Sequence, residues 1–256
     1  MLKGVAIEER SSESESTVEA GVLYLVSTPI GNLKDITLRA LDILAGVDLI
    51  AAEDTRRARI LLTHYGITTP TTSYYQYNRE KKTPYLIGKL KEGASLAVIS
   101  EAGTPGISDP AFHLVYQAIQ QGIRVVAIPG ATAFVPALIT SGLATDRFVF
   151  EGFLPAKKGR QKRLMQLRAE ERTLVFYESP RRILKTLEEL ATNLGNRRVA
   201  VAREITKKFE EVIGGTLAEV LEQLRNKMLR GEFVIVLEGA KGERTRESRK
   251  GREEVG

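Results

Sequence analysis

The chain alternates short, continuous apolar runs with longer segments of helical periodicity, and this alternation constrains its fold more than any other feature. Residues 22–26 form one such run. Apolar side chains at every position indicate a strand buried on both faces, as in a parallel sheet. A helical pattern follows at 36–45, behind Asp35, a residue type typical of helix N-caps. The alternation predicts right-handed βαβ units whose ligands bind beyond the carboxyl ends of the strands.

The same rhythm continues along most of the chain. Further strands are predicted at 47–52, 71–75, 96–99 and 125–128, and further helices at 55–65, 83–92 and 111–121. After Gly142 it restarts, with strands at 148–150, 173–177, 199–203, 210–213 and 233–237 and helices at 160–169, 181–194 and 217–228. These patterns predict an α/β protein with an N-terminal α/β domain at 21–143, in which the sheet is mostly parallel, and a C-terminal α/β domain at 144–240.

The two ends differ from this pattern. Residues 1–20 are acidic and rich in serine, and residues 241–256 are almost entirely charged or small. Neither segment has enough apolar surface to offset the entropy lost on folding, so both are predicted to be disordered tails. The first residues also lack a basic start followed by an apolar core, so no signal peptide is expected.

Composition excludes several classes of chemistry. The 256 residues include no cysteine and only two histidines, His64 and His113. Disulfides, iron–sulfur clusters, thiolate zinc sites, a cysteine nucleophile and a multi-histidine metal site are therefore excluded, and no metal is expected. The formal net charge is +6, concentrated in the middle of the chain, which is compatible with a polyanionic partner.

One stretch imitates a membrane span. Residues 125–145 carry no charge, and the length of this stretch is about what a bilayer requires. Pro129, Gly130 and Pro136 interrupt it, so the stretch is interpreted as a buried strand, a tight turn and a buried helix. A cytoplasmic protein without a membrane segment is expected.

Three loops that follow predicted strands have an unusual composition. They are residues 27–32 (STPIGN), 100–110 (SEAGTPGISDP) and 129–133 (PGATA). The second loop has eleven residues, against about 2–6 for most such connections. It ends in Asp109 and Pro110, which are predicted to begin the next helix as its N-cap and first residue. Neither the dinucleotide fingerprint nor the P-loop motif occurs, so a ligand held by main-chain groups is favoured over a phosphate.

These loops occur with four further motifs, at 36–40 (ITLRA), 53–56 (EDTR), 141–143 (SGL) and 176–182 (FYESPRR). Together and in this order they resemble the tetrapyrrole methylase superfamily, and most closely its ribosomal RNA branch, the small-subunit (cytidine-2′-O)-methyltransferases. The resemblance implies two α/β domains, the second with a mixed sheet. It also implies S-adenosylmethionine as cofactor, a homodimer, and a cytidine in the decoding region of 16S rRNA as the target of 2′-O methylation.

The resemblance also implies a set of cofactor contacts: Pro29, Ala102, Gly103, Thr104, Ile107, Thr132, Ala133, Glu178 and Ile205. Tetrapyrrole-modifying members usually have an aspartate where this chain has Thr104. That departure argues against a corrin or porphyrin substrate. A ribose hydroxyl is a weak nucleophile that benefits from a base, and the candidates are Asp54, Glu101 and Glu178. Each of them is also a plausible helix cap or ion-pair partner, and a base is unnecessary if positioning dominates.

A basic segment is the candidate RNA surface. Residues 157–163 contain Lys157, Lys158, Arg160, Lys162 and Arg163, and no acid follows until residue 170. Such a cluster neutralises phosphates and gives an affinity that falls with salt. Arg56, Arg57 and Arg59 are candidates to extend this surface. The candidates for stacking on a base are Tyr74, Tyr75 and Tyr77.

Three other functions remain open from the residues. One is a methylase of the same fold that acts on a tetrapyrrole or another small metabolite. A second is a serine hydrolase with Ser100 as nucleophile, which would need a later loop histidine, whereas His113 lies only thirteen residues on. The third is a non-catalytic RNA-binding protein, which has no need of three such loops.

Overall fold

The computed structural model describes residues 18–240. The predicted tails at 1–20 and 241–256 therefore lie outside the described residues, except for residues 18–20. Within the described part, two five-stranded sheets and eight α-helices account for the regular structure. This arrangement confirms the predicted α/β class, with a parallel first sheet and a mixed second one.

The first sheet is parallel throughout. Its strands are β1 (Leu23–Val26), β2 (Leu49–Ala52), β3 (Thr71–Ser73), β4 (Leu96–Ile99) and β5 (Val125–Ile128), in the order β3-β2-β4-β1-β5. The helices between them are α1 (Leu38–Gly46), α2 (Thr55–His64), α3 (Arg79–Lys91) and α4 (Ala111–Gln120). Leu23, Leu96 and Leu114 are fully buried in the core between the sheet and its helices. Strands β4, β1 and β5 are neighbours, so their carboxyl ends lie side by side.

The second sheet is mixed. Its strands are β6 (Phe148–Phe153), β7 (Thr173–Glu178), β8 (Arg198–Arg203), β9 (Glu211–Thr216) and β10 (Phe233–Leu237), in the order β6-β7-β10-β8-β9. Only β6 and β7 pair in parallel, and the other pairs are antiparallel. The helices are α5 (Phe134–Thr140), α6 (Arg160–Leu167), α7 (Ile183–Leu194) and α8 (Leu217–Arg225). Helix α5 contacts β7, β8 and β10.

Four predicted helix starts were wrong, and the simplest case is α7, which begins at Ile183 and not at residue 181. Helix α1 is capped by the Thr37 hydroxyl, which accepts from Ala40 N, while Asp35 ends a short 3-10 helix ahead of it. The Asp109 carboxylate turns back to accept from Gly106 N at 2.8 Å instead of capping α4. Helix α3 begins four residues earlier than predicted, because its first turn is wholly polar and carries no apolar periodicity.

Contacts divide the described chain into two units. One comprises residues 18–26, 37–101 and 110–128, and the other comprises residues 27–36, 102–109 and 129–240. The predicted boundary between 143 and 144 stays a prediction. The first loop, most of the second loop and the third loop thus belong by contact to the unit that contains the second sheet.

The predicted interruption of residues 125–145 matches the observed elements, but the predicted burial was mostly wrong, because only Ile128 is buried in β5 and only Ala137 and Leu138 in α5. Strand β5 ends at Ile128 and helix α5 begins at Phe134, so this stretch is not one continuous helix. Within residues 18–240, every helix is too short or too polar to span a bilayer.

Candidate functional site

The three loops meet after the neighbouring strands β4, β1 and β5. Thr28 and Gly103 form an antiparallel bridge in which each N–H donates to the carbonyl of the other, at 2.9 and 3.0 Å. Gly103 has φ +85°, a conformation that disfavours any side chain, and a Cβ there would lie 3.2 Å from the Ile30 side chain. The first two loops are therefore joined through their backbones, at a point that favours glycine.

Thr104 joins all three loops. Its hydroxyl donates to the Ala131 carbonyl at 3.0 Å and lies 2.9 Å from the Ser27 hydroxyl and 2.5 Å from the Thr132 hydroxyl. A hydroxyl has one hydrogen, so with Ala131 as acceptor Thr104 must accept from Ser27 and Thr132. The residue that departs from the tetrapyrrole-modifying pattern thus uses its side chain within the loops.

The third loop approaches the first closely. A Cβ on Gly130 would lie 2.7 Å from the Ser27 Cβ, so this position leaves no room for a side chain. Thr132 and Ala133 follow at the start of α5, and their main-chain N–H groups donate no hydrogen bond to any described residue. This part of the loop offers small side chains and available main-chain donors.

The segment after β8 lies beside the first loop. Ile205 is 8% exposed and belongs to the same apolar cluster as Ile30, next to Pro29. The residues on either side of it, Glu204 and Thr206, have φ of +50° and +67°. Such strained conformations concentrate at functional sites. The Thr206 hydroxyl is buried without a hydrogen-bond partner among residues 18–240 and faces Gly31, at 2.9 Å from where a Cβ would be.

Glu178 is buried in an internal network. One carboxylate oxygen accepts from Ser179 N at 2.7 Å and from Arg182 Nε at 2.8 Å, and the other accepts from the Thr186 hydroxyl at 2.6 Å. Its side chain is 1% exposed. The carboxylate therefore has an evident structural role, and it holds the turn after β7 against α7. Thr186 occupies an apolar position of α7, which was the available sequence signal for this network.

The other two carboxylates lie in the first unit. Asp54 caps α2 by accepting from Arg56 N, and it also pairs with the Arg56 guanidinium at 3.1 Å. The hydrogen bond from the Arg56 side chain, followed by that from its N–H, lowers the pKa of Asp54. A lower pKa makes Asp54 a weaker base. Glu101, at the start of the second loop, is about half exposed and lies 3.3 Å from Arg57.

The basic segment contains residues in two different environments. Lys157, Lys158 and Lys162 are exposed, and their side chains have no ion pair or hydrogen bond within residues 18–240. Arg160 is only 6% exposed, because its guanidinium donates to Glu189 at 2.6 Å, to Thr186 at 2.7 Å and to the Pro155 carbonyl. Arg160 thus anchors α6 to α7, and its burial keeps the guanidinium away from a phosphate at the surface.

The remaining sequence candidates also separate by burial. The Arg56 side chain is 91% exposed, although it pairs with Asp54. Tyr77 is 93% exposed and Tyr75 is 40% exposed, whereas Tyr74 is buried against the Thr83 hydroxyl. Tyr74 is therefore a core residue and is not available to stack on a base. Within the described residues, no group of three or more acidic or histidine side chains is placed to hold a metal.

The fold and the loops define a methylase class. The structure resembles that of uroporphyrin-III C-methyl transferase from Thermus thermophilus, which was solved with S-adenosyl homocysteine, with a TM-score of 0.61. The alignment covers 88% of this chain and 98% of that one at 19% sequence identity, so it shows the fold alone. Residues 22–221 match the family model of the Tetrapyrrole (Corrin/Porphyrin) Methylases. The chain belongs to this family and is a methyltransferase.

Relatives with about 50% sequence identity indicate which branch of the family this chain resembles. The chain is 52% identical over 223 residues to Ribosomal RNA small subunit methyltransferase I of Haemophilus influenzae. This alignment covers 86% of this chain and 79% of the relative. It is 54% identical, with the same coverage, to the protein of the same name in Pasteurella multocida. The chain is therefore most similar to the ribosomal RNA branch that its motifs resemble.

Proposed function

We propose that this chain transfers the methyl group of S-adenosylmethionine to the 2′-hydroxyl of a cytidine in the decoding region of 16S rRNA, as a cytoplasmic homodimer. The convergence of the three loops on Thr104 is the observation that carries the proposal. Relatives that are about half identical to this chain are named ribosomal RNA small subunit methyltransferases, which supports the ribosomal RNA substrate. The sequence resemblance supports the cytidine and its 2′-hydroxyl.

The composition of the loops fits the cofactor. Ala102, Gly103, Ala133 and Thr132 have small, uncharged side chains, which suit a flat adenosine held by main-chain groups. Pro29 and Ile107 supply apolar surface in the first two loops, and Ile205 supplies it after β8. When bound, the cofactor supplies a methyl group on a sulfonium. The chain's own contribution is to hold the acceptor hydroxyl in line with that group, which can account for much of the rate.

A base, if one is used, is best sought at Glu101. Its carboxylate is about half exposed and has a single ion pair in the described part of the chain, with Arg57. Glu178 is saturated by Arg182, Thr186 and its own turn. The Glu101→Gln variant is expected to lower kcat and to leave cofactor affinity unchanged if Glu101 accepts the ribose proton.

Methyl transfer from labelled cofactor tests the proposal directly. The purified protein is incubated with radiolabelled S-adenosylmethionine and small ribosomal subunits from a strain that lacks this gene. Label at a ribose of the 16S rRNA is expected. Label confined to a small-molecule fraction would instead support a tetrapyrrole or metabolite methylase. The absence of any label would contradict the proposal. Light scattering separately measures the molar mass in solution, which tests the proposed dimer.

A pair of variants tests the position of the cofactor. Gly103→Arg introduces a large side chain where even a Cβ meets Ile30, and it is expected to abolish binding of S-adenosylmethionine. Gly66 has a similar φ of +67° but open space around its Cβ position, so Gly66→Arg is the matched control for backbone strain. Equal cofactor affinities of the two variants, measured by calorimetry, would reject these loops as the site.

A further inference from the structure

A groove of about 360 Å³ lies at the start of α6, within the second unit. Its lining includes Phe153, Leu154 and Pro155 together with Lys162 and Arg163. The volume is at the lower end of the range for small-molecule sites, which suits one nucleotide better than a large ligand. The groove thus combines an aromatic wall with cationic side chains.

A β-bulge presents the aromatic wall. The register of β6 against β7 shifts between Phe150 and Gly152, and Gly152 has φ +59°. An extra residue in a strand redirects the side chains that follow it. Phe153 therefore contacts Tyr177, with ring centroids 5.6 Å apart, as Phe150 also does at 5.0 Å. Phe153 remains 53% exposed, so part of its ring is available to a ligand.

The aromatic contacts continue toward the candidate cofactor loops. Phe134, the first residue of α5, stacks on Phe150 with centroids 4.7 Å apart. A continuous series of rings therefore leads from the loop that holds Thr132 to Phe153 at the groove, through Phe150 and Tyr177. Phe134, Phe150 and Tyr177 are packed against one apolar cluster, so the groove and the third loop are connected through this part of the second unit.

Only one of the two cations that line the groove has a free charge. The Arg163 guanidinium is bidentate on the Glu151 carboxylate, at 2.7 and 2.6 Å, and that hydrogen bonding raises the pKa of Arg163. Its charge is therefore balanced within the protein. Lys162 has no ion pair or hydrogen bond within residues 18–240, and Lys157 and Lys158 lie just before it in the chain. This arrangement suits a single phosphate group beside a stacked base.

We propose that this groove holds one unstacked nucleotide of a single-stranded RNA, with its base against Phe153 and a phosphate at Lys162, adjacent in the strand to the nucleotide that is methylated. Aromatic side chains commonly stack on unpaired bases in RNA recognition, whatever the base. The proposal rests on the proposed function for its RNA substrate, and the groove adds a subsite that positions this RNA.

Fluorescence tests the stacking contact. The chain contains no tryptophan, so Phe153→Trp gives a single reporter in the groove. A short single-stranded oligoribonucleotide is expected to quench it, whereas an abasic ribose-phosphate oligomer of the same length is not. Phe112→Trp, at a position on α4 that is 69% exposed, is the matched control and should not respond. Equal quenching by the two oligomers, or in the two variants, would overturn the proposal.

Kinetics test the contribution to substrate binding. Phe153→Ala is expected to raise KM for the RNA about tenfold and to leave cofactor affinity and kcat at saturating RNA within about twofold. Phe112→Ala should leave KM unchanged, and circular dichroism checks that both variants fold. An unchanged KM in Phe153→Ala would overturn the subsite. Quenching of Phe153→Trp without methylation of rRNA would contradict the proposed function alone, and methylation without quenching would contradict the groove alone.

Discussion

A single hydroxyl group, that of Thr104, holds the three loops of the candidate site together. It donates to the Ala131 carbonyl of the third loop, and it accepts from the Ser27 hydroxyl of the first loop and from the Thr132 hydroxyl of the third. Its neighbour Gly103 forms the bridge to Thr28. Buried hydrogen bonds of this kind have a modest net value, but an unpaired carbonyl left behind is costly. One side-chain oxygen therefore adds the third loop to the backbone bridge that joins the first two.

Removal of that oxygen is expected to weaken cofactor binding. Thr104→Val keeps the branched shape but leaves the Ala131 carbonyl without its donor, so the dissociation constant for S-adenosylmethionine should rise about tenfold. Thr104→Ser retains the hydroxyl and serves as the control, with an expected change of less than about threefold. Isothermal calorimetry measures both. A Val variant that binds as the parent chain does would show that the hydroxyl does not set the loop geometry.

The ionisation of Tyr177, one of the packed rings between Phe134 and Phe153, makes the stability of the chain depend on pH. Burial raises the pKa of Tyr177 to about 12, against 10.0 for an ordinary tyrosine. Because the folded pKa is raised, its contribution to stability is fully present below pH 10 and is lost as the pH rises toward 12. The free energy of unfolding should therefore fall more steeply between these values in the parent chain than in Tyr177→Phe.

Absorbance of the phenolate gives an independent measurement of the same group. The parent chain should show a late-titrating component that shrinks in Tyr177→Phe. Burial also raises the pKa of Tyr74, so part of the late component should remain in the variant. Identical titration curves for the two proteins would contradict the assigned burial of Tyr177.

At the scale of elements, local capping decides where the helices begin. Helix α8 has a capping box, in which the Thr216 hydroxyl accepts from Glu219 N and the Glu219 carboxylate accepts from Thr216 N at 2.8 Å. The apolar face of α8, which includes the buried Leu217, Val220 and Leu224, completes the core of the second unit. The cap and the buried face thus stabilise the same helix.

Loss of this cap should destabilise the chain. Thr216→Ala is expected to lower the free energy of unfolding by about 1 kcal/mol, because the Glu219 N–H loses its acceptor. Urea denaturation measures this change. Thr63→Ala, at an exposed position inside α2, is the control and should leave stability unchanged or slightly raised. A similar loss in both variants would argue against a specific role for the cap.

A comparison of predicted and observed strand bounds shows which strands could be located from the sequence. Strands β4 and β10 have the predicted bounds, since every residue in them is buried and the sequence shows an unbroken apolar run. The extension of β6 to Phe153 was missed, because Glu151 and Gly152 interrupt the apolar run and the bulge there depends on pairing with β7. Patterns within a segment were thus sufficient where burial is uniform, and insufficient where a neighbouring strand sets the geometry.

At the scale of the whole molecule, exposed charge is the feature most relevant to a ribosomal substrate. The net charge of +6 is not spread evenly, and Lys157 and Lys158 are exposed without partners within the described residues. Charges of this kind release counterions when they neutralise phosphates, so their contribution appears in the salt dependence of binding. Burial of Arg160 removes it from this group, although the sequence placed it there.

A salt titration separates these charges from others on the chain. The double variant Lys157→Ala and Lys158→Ala should lower the slope of log affinity against log salt concentration by about 1.4, at about 0.7 for each contact with single-stranded RNA. Lys81→Ala with Lys91→Ala changes the net charge equally, at exposed positions on α3, and should leave the slope unchanged. Equal slopes for the two double variants would place the RNA surface elsewhere.

The sequence alone determined the fold class, the order of strands and helices along the chain, and the three loops, because each depends on residues that are close together in the chain. The tertiary structure decided which side chains are available. It buried Arg160 and Glu178 in one network around Thr186, and it made Thr104 the junction of three loops. Burial and hydrogen bonding join residues that are far apart in sequence, so spacing along the chain could not pair these residues, although Thr186 on the apolar face of α7 indicated that a polar group is buried there.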